Sequence, residues 1–205
     1  MTLYLRNTSL HEEIRINTFL HFFSTIGHNT PTMKQLLYIL TTLLCFCGAS
    51  CISDKQENPD KTTLVTVGDL APDFEVELTD GEKIRLSELQ GKIVLLTLWD
   101  PECPTCRTEM MAVEERIINR LQDEDFIYLP IARGCNILQV TAFLQAHNLN
   151  FAAGADPNRV IYSLYATLYV PRSFIIDPQG VIRHSAVEYK LSHLDKMAEI
   201  IEALR

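Results

Sequence analysis

Positive charge is scarce in this chain and nowhere concentrated. Lys and Arg number 18 against 26 Asp and Glu, for a formal net charge of -8, and no basic cluster exceeds a dipeptide. Such a surface has little with which to neutralise a phosphate backbone, which argues against nucleic-acid binding. Metal-ligand pairs are short as well. C-x-x-C occurs at Cys103 and Cys106, but Cys135 stands alone, Cys45, Cys47 and Cys51 crowd an apolar N-terminal stretch, and no histidines sit at ligand spacing. A structural zinc site needs a second ligand pair, so no metal is expected. Internal repeats and low-complexity segments are also missing. What is present, 47% hydrophobic and 21% charged residues over a length of 205, suits one globular domain with a core of ordinary size.

The N-terminal quarter differs from the rest. Met33-Lys34 precedes an uncharged stretch of twelve, Leu36–Cys47, then Gly48-Ala49-Ser50 and Cys51. Twelve residues are too few for a helix to span a bilayer. A short positive start, a short apolar run and small residues before a cysteine resemble a bacterial lipoprotein signal over residues 33–50. That resemblance implies lipidation of Cys51 and an anchor on, not through, the membrane. Gly48 stands where that signal usually has Leu, which leaves Cys47 as the other candidate. Residues 1–32 then read as an upstream extension, and the polar segment 51–64 as a flexible tether. A buried N-terminal helix of a cytosolic protein is the other reading of the apolar run.

The folded part is expected from about Val65, giving a domain over 65–205. Phe74–Leu78 and Lys83–Leu86 alternate around Thr79-Asp80-Gly81-Glu82 and predict a hairpin, followed by a helical turn at Ser87–Leu89. Ile93–Leu98 is continuously aliphatic or β-branched, as a strand buried on both faces requires, and is the candidate central strand. Met110, Val113, Ile117, Ile118 and Leu121 recur at helical spacing, predicting a helix over 104–122. Phe126–Ile131 reads as a second buried strand, Leu138–Ala146 as a second helix and 158–166 as a further one. Ser173–Ile176 and Val181–His184 flank the turn Asp177-Pro178-Gln179-Gly180. Leu191, Leu194, Met197, Ile201 and Leu204 form one stripe of a closing amphipathic helix. Strand, helix, strand, helix is a parallel α/β unit.

Cys103 thus falls where a buried strand feeds a helix N-terminus. Unpaired backbone N–H groups and the helix dipole there favour a thiolate, the species that attacks disulfides. Cys106, one turn on, shares the helix face and lies close enough for a disulfide. Cys103 would form a mixed disulfide and Cys106 would resolve it. An inert structural disulfide is the rival reading, although so small a loop gains little chain entropy.

Trp99 four positions before Cys103, the C-x-x-C at the strand-to-helix junction, and Val170-Pro171-Arg172-Ser173-Phe174-Ile175-Ile176-Asp177-Pro178-Gln179-Gly180 together resemble the thioredoxin fold, in particular TlpA/ResA-like thiol-disulfide oxidoreductases, over about 65–205. The resemblance implies an α/β fold with a central mixed sheet flanked by helices and an added N-terminal hairpin. It also implies a cis Pro171 beside the disulfide, and a substrate-facing surface formed by Val170, Pro171 and Trp99. No cofactor is implied beyond the redox disulfide Cys103–Cys106. Protein thiols or disulfides would be the substrates, a membrane-bound electron donor the partner, the cell envelope the location, and reduction the favoured direction.

Departures from the pattern matter. Pro104-Thr105 between the cysteines differs from many relatives. Thr97 and Asp156 offer no obvious general base for Cys106, a role left to water. Peroxiredoxins share this fold with sites resembling P-x-x-x-T-x-x-C, but Pro101 and Thr105 would put that cysteine at Thr108. Copper chaperones of this kind resemble C-x-x-x-C, one residue longer than the pair here. Asp100 and Glu102 read as a solvated rim. Cys135, at the strand edge that carries sites in α/β sheets, is either an accessory thiol within reach of the pair or a buried small hydrophobe. His147, His184 and His193 are read as surface or packing residues. A non-catalytic thioredoxin-fold lipoprotein that binds a partner or metal is the alternative function.

Overall fold

The computed structural model describes residues 59–121 and 125–205. The lipoprotein-type signal, the upstream extension and Cys51 lie outside these residues. Two short strands, β1 (Glu75–Glu77) and β2 (Lys83–Arg85), pair antiparallel, Val76 opposite Ile84, and a 3₁₀ turn follows at Leu86–Leu89. The main sheet contains β3 (Ile93–Trp99), β4 (Phe126–Arg133), β5 (Gly154–Asp156), β6 (Arg172–Ile176) and β7 (Ile182–Val187), in the order β5-β4-β3-β6-β7. β3 lies in the middle with every residue buried, which is what a run of aliphatic side chains without polar alternation demands. It pairs parallel with β4 and antiparallel with β6, so the sheet is mixed.

Helix α1 (Pro104–Val113) crosses from β3 to β4, α2 (Ile137–Ala146) from β4 to β5, α3 (Tyr162–Tyr165) precedes β6, and α4 (Leu191–Leu204) closes the chain. Asn136 and Gln139 form a capping box at the start of α2, with bonds of 3.0 and 2.9 Å, satisfying donors the helix end would otherwise leave free. The two sheet faces are covered differently. Val94, Leu96, Leu98, Phe174 and Ile176 pack with Val76, Leu78 and Tyr165 from the hairpin and α3. On the opposite face Ile93, Leu95 and Ile175 meet Val113, Ile117, Leu194, Met197 and Ile201 of the α1 and α4 side. A further cluster of Trp99, Cys106, Met110, Val140 and Phe143 sits at the C-terminal end of β3.

Four features depart from the expectations. The helix after β3 turns at Val113 into a π-helical segment, Glu114–Ile118, before Asn119–Leu121. The segment expected to be helical over 158–166 is helical only at Tyr162–Tyr165. β5, three residues long and glycine-led, was too short to carry a periodic signal. Ordered chain also begins before Val65: Pro59–Thr62 form a 3₁₀ turn, Leu64 N donates to Tyr165 O at 2.9 Å and Thr167 N to Thr62 O at 2.9 Å.

Candidate active site

β3 delivers the chain to a tight turn. Cys103 N donates to Asp100 O at 3.0 Å and Glu102 N to the Asp100 carboxylate at 3.1 Å. Cys103 is itself the N-cap of α1, in extended backbone, with Pro104 at the first helical position, where its missing N–H costs nothing. The Cys103 sulfur takes the place of a capping oxygen. It accepts from Cys106 N at 3.2 Å and lies 3.1 Å from the Thr105 hydroxyl, so a thiolate there would have two donors. Cys103 is half-buried, reachable from solvent.

Cys106 is fully buried one turn behind. Burial, the neighbouring Cys103 sulfur and the Glu109 carboxylate push its thiol far above the usual range. It therefore stays protonated until something takes the proton. Val170–Pro171 is a cis peptide; Pro171 is buried, Val170 half-buried, and the Val170 carbonyl lies 3.7 Å from the Cys103 sulfur, close enough to accept from the thiol. Two loops remote in sequence thus meet at one sulfur.

Two expectations are corrected by the geometry. Trp99 does not face a substrate: it is 0% exposed, its ring packed at a tilt against Phe143 with centroids 4.7 Å apart, and works as the floor beneath the cysteine pair. Asp100 is not a solvated acid, because Arg133 of β4 pairs with it at 3.6 Å while lying 4.7 Å above the Tyr162 ring; Glu102 is exposed. Of the two readings of His184, surface or packing, the structure bears out packing: its Nε2 is buried without a hydrogen-bond partner, and burial lowers its pKa.

Cys135 packs on the same cluster as Cys103. Burial, then the Asp100 and Glu102 carboxylates, raise its pKa, with Arg159 opposing. Its thiol is a poorer nucleophile for that reason. Among the described residues no group of three or more His, Cys, Asp or Glu side chains could hold a metal ion.

The residue the sequence reading missed is Glu109. It is 3% exposed, three positions after Cys106, and its carboxyl oxygen accepts from Ser173 Oγ at 2.5 Å. Burial lifts its pKa to about 7, with the Ser173 hydroxyl pulling the other way. The available signal was its helical face: Cys106, Glu109, Met110 and Val113 are the buried residues of α1, so position 109 lies on an otherwise apolar stripe.

Comparison with known proteins agrees with this geometry. Residues 67–185 match the AhpC/TSA family model. The chain belongs to the AhpC/TSA family. Thiol-disulfide oxidoreductase ResA of Bacillus thuringiensis subsp. konkukian is 28% identical over 149 residues, 73% of this chain and 86% of the relative. ResA of Bacillus subtilis is 26% identical over 144 residues, 70% and 78% of the two chains. A solution structure from Bacteroides thetaiotaomicron, of a protein proposed to be a protein disulfide isomerase, superposes with a TM-score of 0.67 at 31% identity, covering 70% of this chain and 92% of that one. The fold of this family member is thioredoxin-like, and the protein is a thiol-disulfide oxidoreductase.

Proposed function

We propose that the protein exchanges disulfides with thiol proteins of the cell envelope, working as a reductase through Cys103 and Cys106. The observation that carries this reading is the pairing of a reachable Cys103 sulfur, aimed at the Val170 carbonyl 3.7 Å away, with a fully buried Cys106 directly behind it. Cys103 attacks the substrate disulfide, forming a mixed disulfide. Glu109 takes the Cys106 proton, the Cys106 sulfur attacks Cys103, and the substrate sulfur leaves with its electron pair. Val170 and Pro171 shape the approach of the substrate chain. Cys135 is an accessory thiol only in the sense that it lines the same cluster, where burial and the Asp100 and Glu102 carboxylates raise its pKa. A membrane-bound donor would restore the dithiol, and a lipid on Cys51 would hold the domain at the membrane. Among the described residues no helix is long and apolar enough to cross a membrane.

Peroxide reduction, known in other proteins with this fold, is the weaker reading, because the Pro101 and Thr105 spacing leads to Thr108 where the peroxidatic cysteine should be. The test is turnover of a protein disulfide with a dithiol donor. Wild type is expected to be active and Cys103→Ser inactive; equal activity in the two would leave the domain a binding module.

A further inference from the structure

A polar layer divides the two apolar clusters on the α1 side of the sheet. Thr97 of β3, Ser173 of β6 and Glu109 of α1 are 0%, 2% and 3% exposed. Ile93, Leu95 and Ile175 pack to one side of them, Trp99, Cys106 and Met110 to the other. Thr97 and Ser173 are direct partners in register, their hydroxyl oxygens 3.1 Å apart, and Ser173 Oγ lies 2.5 Å from Glu109 Oε1. Polar groups in an apolar interface destabilise it unless they satisfy one another. Valine and alanine would fill these strand positions without that penalty, so the hydroxyls call for an explanation beyond packing.

We propose that Thr97 and Ser173 are positioning residues for Glu109: a hydroxyl chain running from β3 through β6 to the carboxyl group, which supports the ionised form inside an apolar interface and so lets Glu109 take the Cys106 proton while sealed from water. This rests on Glu109 being the proton acceptor of Cys106. Hydroxyls suit the task because each both donates and accepts. With Glu109 ionised, Thr97 donates to Ser173 and Ser173 to the carboxylate. Once Glu109 holds the proton it donates to Ser173, and the same bonds run the other way without any atom moving far.

The placement of Ser173 supports the assignment. The four-residue segment Val170–Ser173 touches the chemistry at both ends: the Val170 carbonyl meets the Cys103 sulfur and the Ser173 hydroxyl meets Glu109. The groups facing Glu109 are few. Cys106 lies on its own helix, with Cys103 beyond it; β4 contributes Tyr128, which burial holds neutral and which also feels Glu114. β3 and β6 contribute the two hydroxyls and no charge at this level.

The step balances. The Cys106 S–H proton passes to a Glu109 oxygen, and the sulfur attacks Cys103 of the mixed disulfide. The Cys103–Cys106 bond forms as the Cys103–substrate bond breaks. The protein pair is oxidised, and the substrate sulfur leaves reduced and takes a proton from solvent.

The test uses the full chain carrying a thionitrobenzoate mixed disulfide on Cys103, with release of the coloured thiolate followed against pH. In wild type the release rate rises with a midpoint near the Glu109 pKa, about 7. Ser173→Ala is expected to move that midpoint up by about one pH unit, Thr97→Val to move it up by less, and Ser173→Thr, which keeps the hydroxyl, to restore it. In a Glu109→Gln background, Ser173→Ala should add no further change in profile. A flat profile in Glu109→Gln together with unmoved midpoints in Ser173→Ala and Thr97→Val overturns the hydroxyl chain and leaves Glu109 as acceptor. A wild-type profile in Glu109→Gln overturns both. Should Ser173→Ala fail to fold, the volume-preserving Thr97→Val decides alone, an unmoved midpoint counting against the proposal.

Discussion

A carboxyl group sealed beneath a helix makes folding answer to pH. In the unfolded chain Glu109 has a pKa of about 4.3, and in the folded protein about 7. Between those values the folded state holds a proton that the unfolded state has lost, so this contribution to stability is complete below the unfolded pKa and falls as pH rises through 7. An elevation of this size corresponds to roughly 4 kcal/mol in full, of which about 3 kcal/mol falls between pH 5 and pH 8. Urea titrations at pH 5 and pH 8 should therefore show wild type losing about that much relative to Glu109→Gln, whose side chain does not titrate. The thiols are ordered by reach. Alkylation of the reduced native protein, followed by mass spectrometry, should label Cys103 first, Cys135 more slowly, and Cys106 only on unfolding, since these are half-buried, half-buried with a raised pKa, and fully buried.

Between elements, the N-terminal hairpin comes close against the edge strand β5. A Cβ on Gly154 would lie 2.6 Å from Val76 Cγ2 and 3.2 Å from Ile131 Cγ1, so this glycine exists to let β1 dock. Gly154→Ala should cost about 1–3 kcal/mol in urea denaturation, and Val76→Ala in the same chain should recover part of it, giving less than the sum of the single losses. Much at this scale was legible in advance. The aliphatic run of β3, the helical stripe after Cys106, the hairpin at Thr79–Glu82 and the Asp177–Gly180 turn each carry a local pattern, and each formed. β5 and the π-helical stretch at Glu114–Ile118 carry none. The first is held by its neighbour β4, and the second leaves the hydrophobic period nearly unchanged.

Across the molecule, the start of the described chain is tied to the loop that presents Val170. Arg172 is fully buried. It donates to the Leu168 carbonyl at 2.9 and 2.6 Å, to the Thr63 hydroxyl at 2.5 Å and to the Thr62 hydroxyl. Removing so buried a donor set leaves acceptors unsatisfied, and each such group costs about 1–3 kcal/mol. Arg172→Met should therefore destabilise the whole domain by at least that much in thermal or urea unfolding. The sequence by itself determined the strand-to-helix junction that makes Cys103 a cap and puts Cys106 on its face, because caps and helical periods are read over a few adjacent residues. Only the tertiary structure decided that Trp99 is a floor and not a wall, that Arg133 answers Asp100, and that Glu109 and Ser173, 64 positions apart, share a bond. Burial and partnership between distant segments depend on how the sheet is ordered, and no local spacing encodes that order.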